Sequence, residues 1–178
     1  ERVLAACQGT MNNVTFGGTD PRGADGDGDT GANGDGEPYA FYETQGGGFG
    51  GRAGKDGMDG VHVHMSNTMN TPAEVLEAAP ASSVAASASG GISKFGGTGS
   101  FSLLADRQRH APYGLEGGDE GERGAAYLYA DADAYAAATA DAEGEKLPQK
   151  SVHDLPAGSV VSIRTPGAGG YGDPDDRA

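Results

Sequence analysis

The chain has 178 residues, of which 33 are glycine, and its 26 acidic residues outnumber its 12 basic ones, giving a formal net charge of −14. This acidic balance argues against nucleic-acid binding, which needs clustered Lys and Arg. A single cysteine, Cys7, excludes an internal disulfide framework and fits a reducing interior, and no apolar run approaches the roughly 18 residues of a membrane-spanning helix.

Large apolar residues are scarce, and together with the high charge this would ordinarily indicate disorder. The acidic residues are nevertheless scattered over glycine-rich loops, and the apolar residues are grouped into strand-length runs. We therefore expect an ordered, soluble chain that lacks a self-sufficient core and packs into something larger. A dense acidic surface with few lysines is typical of salt-rich cytoplasm, which predicts a cytoplasmic protein of a halophilic microorganism. Because the chain opens without Met, we do not expect Glu1 to be the natural start.

The first half of the chain predicts short strands separated by glycine-rich loops. NNVTFGG gives a strand at 13–16, an acidic loop follows at 19–38, and PYAFYET has the aromatic density of a buried strand. Residues 46–60, GGGFGGRAGKDGMDG, are too rich in glycine for regular structure, so they predict a loop whose backbone closely approaches another group. VHVHM, at 61–65, is typical of a strand.

One clear short helix is predicted at 71–79, TPAEVLEAA. Thr71 is its expected N-cap, Pro72 occupies the first helical position, and Glu74 completes a capping box. These residues together predict that a helix begins after Thr71.

Further strands are predicted in the second half. Phe101, Leu103 and Ala105 alternate on one face, and two short strands at 152–155 and 160–163 flank the turn PAG.

Two segments carry little structural information. Residues 80–91 and 130–145 are predicted to be poorly defined linkers, the second lying within an exposed acidic connection that begins at YLY, 127–129. The predicted fold class is α+β, predominantly β, with glycine-rich loops and one clear short helix, as part of a larger multi-domain subunit.

The histidines of VHVHM are the first candidates for chemistry. In a strand, His62 and His64 would project to the same face, which suits a shared metal ion. Zinc requires three or four ligands with supporting partners, and no spacing places the remaining candidates there: Asp56, Asp59, His110 and His153. The alternative is that both imidazoles bond to backbone or to Asn67 and Asn70 in a polar, partly buried layer.

Other motifs favour structural roles. The acidic loop starting at Asp25 resembles a calcium loop but has Thr30 and Gly36 where Gly and Glu are required, so a solvated loop is expected. GGGFGGR lacks the ending of a phosphate-binding loop, although Arg52 adds a positive donor. Cys7 has no supporting base in the sequence and is typical of a small buried hydrophobe.

Four segments occur here in the order in which they occur in one protein family. They are NNVTFGG, YAFYETQGGGFGGRAGKDGMDGVHVHMSNTMNTPAEVLE, SLLADRQRHAPYGLEGG and LPAGSVVSIRTPGAGGYGDP. They include the uncommon pattern E-T-x-G-G-G-x-G-x-R followed by G-V-H-x-H-M-x-N-T-x-N-T-P. These strings cover roughly two thirds of the chain, and on them the chain, 1–178, is identified by resemblance as the carboxy-terminal portion of a hydantoinase B protein, a relative of the 5-oxoprolinase and acetone carboxylase large subunits.

The resemblance implies part of an ATP-dependent enzyme that hydrolyses cyclic amides such as hydantoins, 5-oxoproline and lactams. It implies ATP and Mg bound by a hydantoinase A-type partner subunit, and a divalent metal in the amino-terminal part of hydantoinase B, with no cofactor in this chain. The expected assembly is a hetero-oligomer of these parts that takes a small-molecule substrate. No catalytic role is assigned, but residues matching the shared motif are expected to line the active cavity: Tyr42, Glu43, Arg52, His62, His64, Asn67 and Asn70.

The chain departs from the family pattern after the predicted helix. Family members usually have a longer basic and aromatic segment there, whereas this chain has PASSVAASASGGISKFGGTGS. Several functions stay open: a cyclic amide hydrolase, an ATP-dependent ketone carboxylase, or a structural portion that braces the amino-terminal part and docks the partner. An independent metal hydrolase using His62 and His64 is disfavoured.

Overall fold

The computed structural model describes residues 3–20, 37–71, 82–87, 90–95, 98–138 and 144–176. Within these ranges the chain forms eleven β-strands, one short α-helix and one 3₁₀ turn. The predicted class, α+β and predominantly β with one short helix, is therefore confirmed.

The strands, in chain order, are β1 (Asn12–Asp20), β2 (Glu37–Gln45), β3 (Gly47–Phe49), β4 (Met58–Val61), β5 (Ser82–Ser87), β6 (Gly90–Phe95), β7 (Gly99–Leu104), β8 (Ala125–Tyr129), β9 (Glu145–Lys146), β10 (Lys150–Leu155) and β11 (Val160–Arg164). The helix α1 spans Ala132–Ala137, and the 3₁₀ turn spans Pro174–Asp176. One sheet has the order β10-β7-β1-β2, a second has the order β5-β6-β11-β8-β9, and β3 pairs with β4 alone. All of these pairings are antiparallel.

Apolar side chains at alternate positions of the strands form the inner face of the four-stranded sheet. Phe16 of β1 lies directly opposite Phe41 of β2 and Phe101 of β7. Its ring centroid is 6.0 Å from that of Phe41 and 5.4 Å from that of Phe101. Leu103 and Ala105 are buried with Phe101, so the predicted alternation of this strand is confirmed.

The main core lies between the two larger sheets. It contains Val14, Phe16, Phe101, Leu103, Ala105, Ala126, Leu147, Leu155, Val161 and Ile163. Because β1, β7 and β10 supply it from one sheet and β8 and β11 from the other, the two sheets pack face to face. Burying each large apolar side chain stabilises the fold by about 1.5–3 kcal/mol. The described residues thus enclose an apolar core, while the expectation that this core is not self-sufficient stays a prediction.

The two strands predicted around the turn PAG are present as β10 and β11. They do not pair with each other, because β10 pairs with β7 and β11 pairs with β6 and β8. A turn closed by a hydrogen bond from Ser159 N to Pro156 O (3.2 Å) carries the chain from one sheet to the other.

Residues 46–60 are not the predicted loop without regular structure, because they contain the paired strands β3 and β4. Glycine is what allows this, since the backbone lies against other backbone segments without side chains between them. Gly48 N donates to Pro166 O (2.9 Å), and Gly51 N donates to Gly169 O (3.0 Å). The predicted strand VHVHM is also corrected: β4 ends at Val61, and the histidines follow it outside any strand.

The prediction that YLY belongs to an exposed connection is wrong. Tyr127 and Tyr129 are buried in β8, and the Tyr129 ring packs edge-on against Tyr135 of α1 at 5.2 Å. Asp131 caps α1 by accepting a hydrogen bond from Ala134 N (2.7 Å). The segment 130–145 thus contains α1 and the start of β9, and the segment 80–91 contains β5 and the start of β6.

The helix predicted at 71–79 lies, beyond Thr71, outside the described residues, as does the acidic loop at 21–36. Within the described ranges, no helix is both long enough and apolar enough to cross a membrane.

Candidate functional site

Five buried polar side chains lie at one end of the four-stranded sheet and form what we call the polar cluster: Gln8, Asn12, Glu43, Gln45 and His62. Asn12 lies opposite Gln45 where β1 begins and β2 ends. Because side chains two apart in a strand share a face, Asn12 follows the inward direction of Val14. The sandwich therefore has an apolar interior that becomes polar at this end.

Asn70 forms a hydrogen bond with His62 of the polar cluster. The Asn70 Oδ1 atom accepts a hydrogen bond from Gly46 N at 2.8 Å, and the His62 Nε2 atom lies 2.9 Å from the same oxygen. A backbone N–H can only donate, so this contact identifies the Asn70 atom as oxygen. His62 must then donate from Nε2, which leaves a lone pair on Nδ1 when the ring is neutral. The predicted hydrogen bonding of a histidine to Asn70 in a polar layer is confirmed for His62.

Glu43 joins the same region from β2. Its side chain is 6% exposed, and Oε1 accepts a hydrogen bond from Thr71 N at 2.8 Å. A buried carboxylate is costly without such a donor. The structure therefore brings together three of the motif residues, Glu43, His62 and Asn70, although β2 and the 62–71 segment are separate in sequence.

Several acceptors of the polar cluster have no hydrogen-bond donor within the described part of the chain. They are Gln8 Oε1, Asn12 Oδ1, Gln45 Oε1 and His62 Nδ1. The oxygen assignment of Gln8 is supported by its Nε2, which donates to Val61 O (3.5 Å). Because buried polar atoms in native proteins are nearly always satisfied, we expect donors from water, a ligand or another part of the protein at these atoms.

Glycine lets the backbone approach this cluster. A Cβ atom on Gly47 would contact Gln8 Oε1 and would lie 2.7 Å from Pro166 O, closer than real Cβ contacts allow. The expectation that the glycine run marks a close backbone approach is therefore confirmed at Gly47, and a side chain there would displace the amide of Gln8.

His64 has a different environment from His62. It is exposed, and its Nε2 atom lies 3.4 Å from Cys7 Sγ, which also accepts from Gly9 N at 3.4 Å. The prediction that both histidines project to one face is therefore wrong, because the segment after Val61 is not a strand. Sequence reasoning missed this contact since Cys7 and His64 are 57 residues apart.

The remaining motif residues lie apart from the polar cluster. Tyr42 is 60% exposed and donates to Asn13 Oδ1 (2.5 Å) on the opposite face of the sheet. Asn67 is exposed. Arg52 lines a pocket together with Lys55 and Tyr171. The contacts described here join Glu43, His62 and Asn70, and that all seven motif residues line the active cavity stays a prediction.

The family resemblance implies a divalent metal in the amino-terminal part of hydantoinase B and none in this chain. Nowhere in the described ranges do three or more His, Cys, Asp or Glu side chains group closely enough to hold a metal ion. The unpartnered atoms of the polar cluster are mainly amide oxygens, so the cluster is suited to accepting hydrogen bonds.

Comparison with known proteins finds one family over nearly the whole chain. The family model described as Hydantoinase B/oxoprolinase matches residues 1–174. The chain is 32% identical to 5-oxoprolinase 1 of Arabidopsis thaliana over 96% of its length, and 31% identical to a putative D-/L-hydantoinase B subunit of a Pseudomonas species over 78%. It is 40% identical over 99% of its length to an uncharacterized protein of Methanocaldococcus jannaschii. These matches span 13%, 25% and 29% of the respective relatives, and no solved structure matches significantly.

Proposed function

Because the chain belongs to the hydantoinase B/oxoprolinase family, we propose that it is part of an ATP-dependent cyclic amide hydrolase. The observation that carries the proposal is the family match over residues 1–174, which includes the whole polar cluster. Two relatives are named for 5-oxoproline and hydantoin, both cyclic amides. The chain spans less than a third of these relatives, so activity is proposed for the longer protein to which it corresponds.

ATP has a clear chemical use in this reaction. An amide carbon is a poor electrophile, and transfer of the γ-phosphoryl group to the amide oxygen makes it a better one. Water then adds to that carbon, the C–N bond breaks, and the nitrogen leaves with a proton, as an amine from a lactam or as part of a neutral urea group from a hydantoin. Release of phosphate consumes a second water, so each ring opened yields one ADP and one phosphate.

The polar cluster is the part of this chain that we assign to the substrate. A cyclic amide carries an N–H donor, and His62 Nδ1 and the amide oxygens of Gln8 and Gln45 are buried acceptors. Unpaired buried acceptors discriminate strongly in favour of ligands that satisfy them. This chain is thus proposed to hold the N–H side of the ring.

The nucleotide and the partner complete the proposal. The relative from Pseudomonas is named as the B subunit of a hydantoinase, which supports association with a hydantoinase A-type subunit that binds ATP and Mg. The divalent metal is proposed to lie in the amino-terminal part of hydantoinase B, as the family resemblance implies.

The test is ATP hydrolysis by the native protein with its partner, measured with hydantoin, with 5-oxoproline, and with acetone plus bicarbonate. The proposal predicts that a cyclic amide raises the rate of ADP formation and that acetone with bicarbonate does not. Stimulation by acetone and bicarbonate alone would instead support the carboxylase branch.

A structural role is the second candidate, favoured by the close backbone contacts of the glycine segments. A Cβ on Gly50 would collide with the carbonyl of Ala5, and one on Gly48 with the backbone of Gly167 and Ala168. If His62→Ala and His64→Ala leave turnover intact in an assembled complex, the chain braces the enzyme without contacting substrate. Loss of turnover in His62→Ala with normal assembly supports the substrate role.

A further inference from the structure

A nucleophile and a base meet outside the residues assigned to the substrate, at the contact between Cys7 and His64. We call these two residues the thiol–imidazole pair. The His64 Nε2 atom lies 3.4 Å from Cys7 Sγ, although the two residues are 57 positions apart in the chain. Packing therefore brings an imidazole to the single cysteine of the sequence.

Two groups act on the sulfur atom of Cys7. With its lone pair on Nε2, the neutral His64 ring can accept the thiol proton. Gly9 N donates a hydrogen bond to Sγ at 3.4 Å, which stabilises negative charge on the sulfur. The thiolate is the nucleophilic form of cysteine, and a base within hydrogen-bond reach is the arrangement that activates cysteines in enzymes.

The thiol–imidazole pair is open to small reagents. Cys7 is half-buried and His64 is exposed. Oxidation of a cysteine follows its thiolate character and its exposure, and both conditions are met at this sulfur. Because the sequence has no second cysteine, the first oxidation product cannot be converted to a disulfide within these 178 residues.

The thiol–imidazole pair is connected to the polar cluster at both of its members. Gln8 follows Cys7 directly, and His62 precedes His64 by two positions. Gln8 is 1% exposed and His62 is 5% exposed, and each carries a buried acceptor without a donor in the described part of the chain. A change at the sulfur is thus close in sequence to two of the groups proposed to hold the substrate.

The backbone on either side of Cys7 is held by hydrogen bonds. Ala6 N donates to Tyr113 O at 3.0 Å. Gln8 N donates to Gly48 O, also at 3.0 Å. An atom added to the sulfur must therefore be accommodated on the side of the imidazole, and displacement of that ring moves the segment that carries His62.

We propose that Cys7 is an oxidation site at which a peroxide forms a sulfenic acid, and that this oxidation lowers turnover at the polar cluster. The sulfur attacks one oxygen of hydrogen peroxide, the O–O bond breaks, and the thiol becomes S–OH. The other oxygen leaves as water after taking the proton that His64 held. Sulfur loses two electrons and the peroxide gains two. The effect on turnover rests on the proposed function, whereas the reactivity of Cys7 does not.

The first experiment measures the reactivity of Cys7 in the native protein. Hydrogen peroxide is added together with dimedone, which traps sulfenic acids, and the labelled Cys7 peptide is counted by mass spectrometry. We expect His64→Gln to slow the labelling at least about tenfold, because the base is lost. His110→Gln is the matched control, since His110 is also exposed but lies on another segment. Melting temperatures of both variants verify that the fold is kept.

The second experiment measures ATP hydrolysis stimulated by 5-oxoproline before and after peroxide treatment, in the native protein with its partner. Peroxide should inhibit this activity, and dithiothreitol, which reduces sulfenic acid back to the thiol, should restore it. Cys7→Ser should make the activity resistant to peroxide.

The reactivity and the regulation fail separately. Labelling of Cys7 no faster than that of a free peptide of the same sequence, or unchanged in folded His64→Gln, would overturn the oxidation site. Equal inhibition of the native protein and Cys7→Ser would overturn the effect on turnover. Rapid labelling of Cys7 in a protein whose ATP hydrolysis ignores cyclic amides keeps the oxidation site and removes the proposed function.

Discussion

Asn70 links the glycine segment to the histidine segment through a single oxygen atom. That oxygen accepts hydrogen bonds from Gly46 N and from His62 Nε2. Removing it would leave both donors unpaired in a region where the neighbouring groups are buried. Leaving a buried donor unsatisfied costs about 1–3 kcal/mol, more than the net value of the hydrogen bond itself. The orientation of His62 therefore depends on a neighbour eight positions away.

Asn70→Ala is expected to expose this dependence. The amide of Gly46 should lose at least tenfold of its protection from hydrogen exchange, corresponding to about 1.4 kcal/mol, as measured by mass spectrometry of the native protein. Asn67→Ala is the matched control, since Asn67 is exposed. Unchanged protection of Gly46 in Asn70→Ala would show that the Asn70 contact does not hold the segment.

His62 is expected to be protonated at Nε2 and bare at Nδ1 when neutral. Nitrogen-15 spectra of histidine-labelled protein distinguish the two tautomers, and His62→Gln identifies the signal. Asn70 can accept only from Nε2 in this geometry. A neutral ring carrying its proton on Nδ1 would contradict both the Asn70 assignment and the proposed acceptor role of His62.

At the scale of secondary-structure elements, the glycines allow close packing because they have no side chain. The segment 46–51 lies against the backbone of the 4–8 and 166–170 segments, with hydrogen bonds such as Ala5 N to Gly51 O (2.8 Å) and Gln8 N to Gly48 O (3.0 Å). Backbone approaches of this kind leave no room for a methyl group. The glycines thus hold the polar cluster next to both neighbouring segments.

Gly50→Ala is expected to destabilise the fold by about 1–3 kcal/mol or more, because the new Cβ would collide with the carbonyl of Ala5. Gly17→Ala is the control: Gly17 also lies in a glycine pair, but its nearest neighbour would be Ser100 Oγ at 3.6 Å. Thermal unfolding of the two variants measures the difference. Equal melting temperatures would show that the 46–51 segment is not packed as described.

The strands β1, β2, β7, β10 and β11 could be predicted from the sequence because their apolar alternation or density is local. β8 could not, since Ala125 and Ala126 are weak signals and acidic residues follow directly. The β3–β4 pair could not be predicted from the sequence, because it is stabilised by backbone contacts with distant segments and glycine content does not indicate such contacts. At the site, the motif pointed to His62, Glu43 and Asn70, whereas Gln8 and the Cys7 contact with His64 depend on long-range packing.

For the molecule as a whole, the net charge of −14 is the dominant electrostatic feature. Exposed acidic groups repel one another over distances set by the Debye length, roughly 30 Å at 0.01 M and 10 Å at 0.1 M salt. Self-repulsion of this kind destabilises a compact state. Cytoplasmic location in a halophile stays a prediction, but the charge itself has a measurable consequence.

The melting temperature of the native protein should rise between 0.02 and 0.3 M NaCl, a range in which screening dominates over salting-out. A variant carrying Asp119→Asn, Glu120→Gln and Asp133→Asn, all at exposed positions, should show a smaller rise, because fewer charges remain to be screened. An equal rise in both proteins would mean that charge repulsion is not the cause.

The proposal that this chain is part of an ATP-dependent cyclic amide hydrolase predicts strict coupling between ring opening and nucleotide cleavage. The most direct measurement counts ADP and opened 5-oxoproline in the same sample of the native protein with its partner subunit. The expected result is one ADP for each ring opened, with neither product formed at an appreciable rate when the other reactant is left out. Rings that open without ATP, or ADP that accumulates equally fast without any cyclic amide, would contradict it.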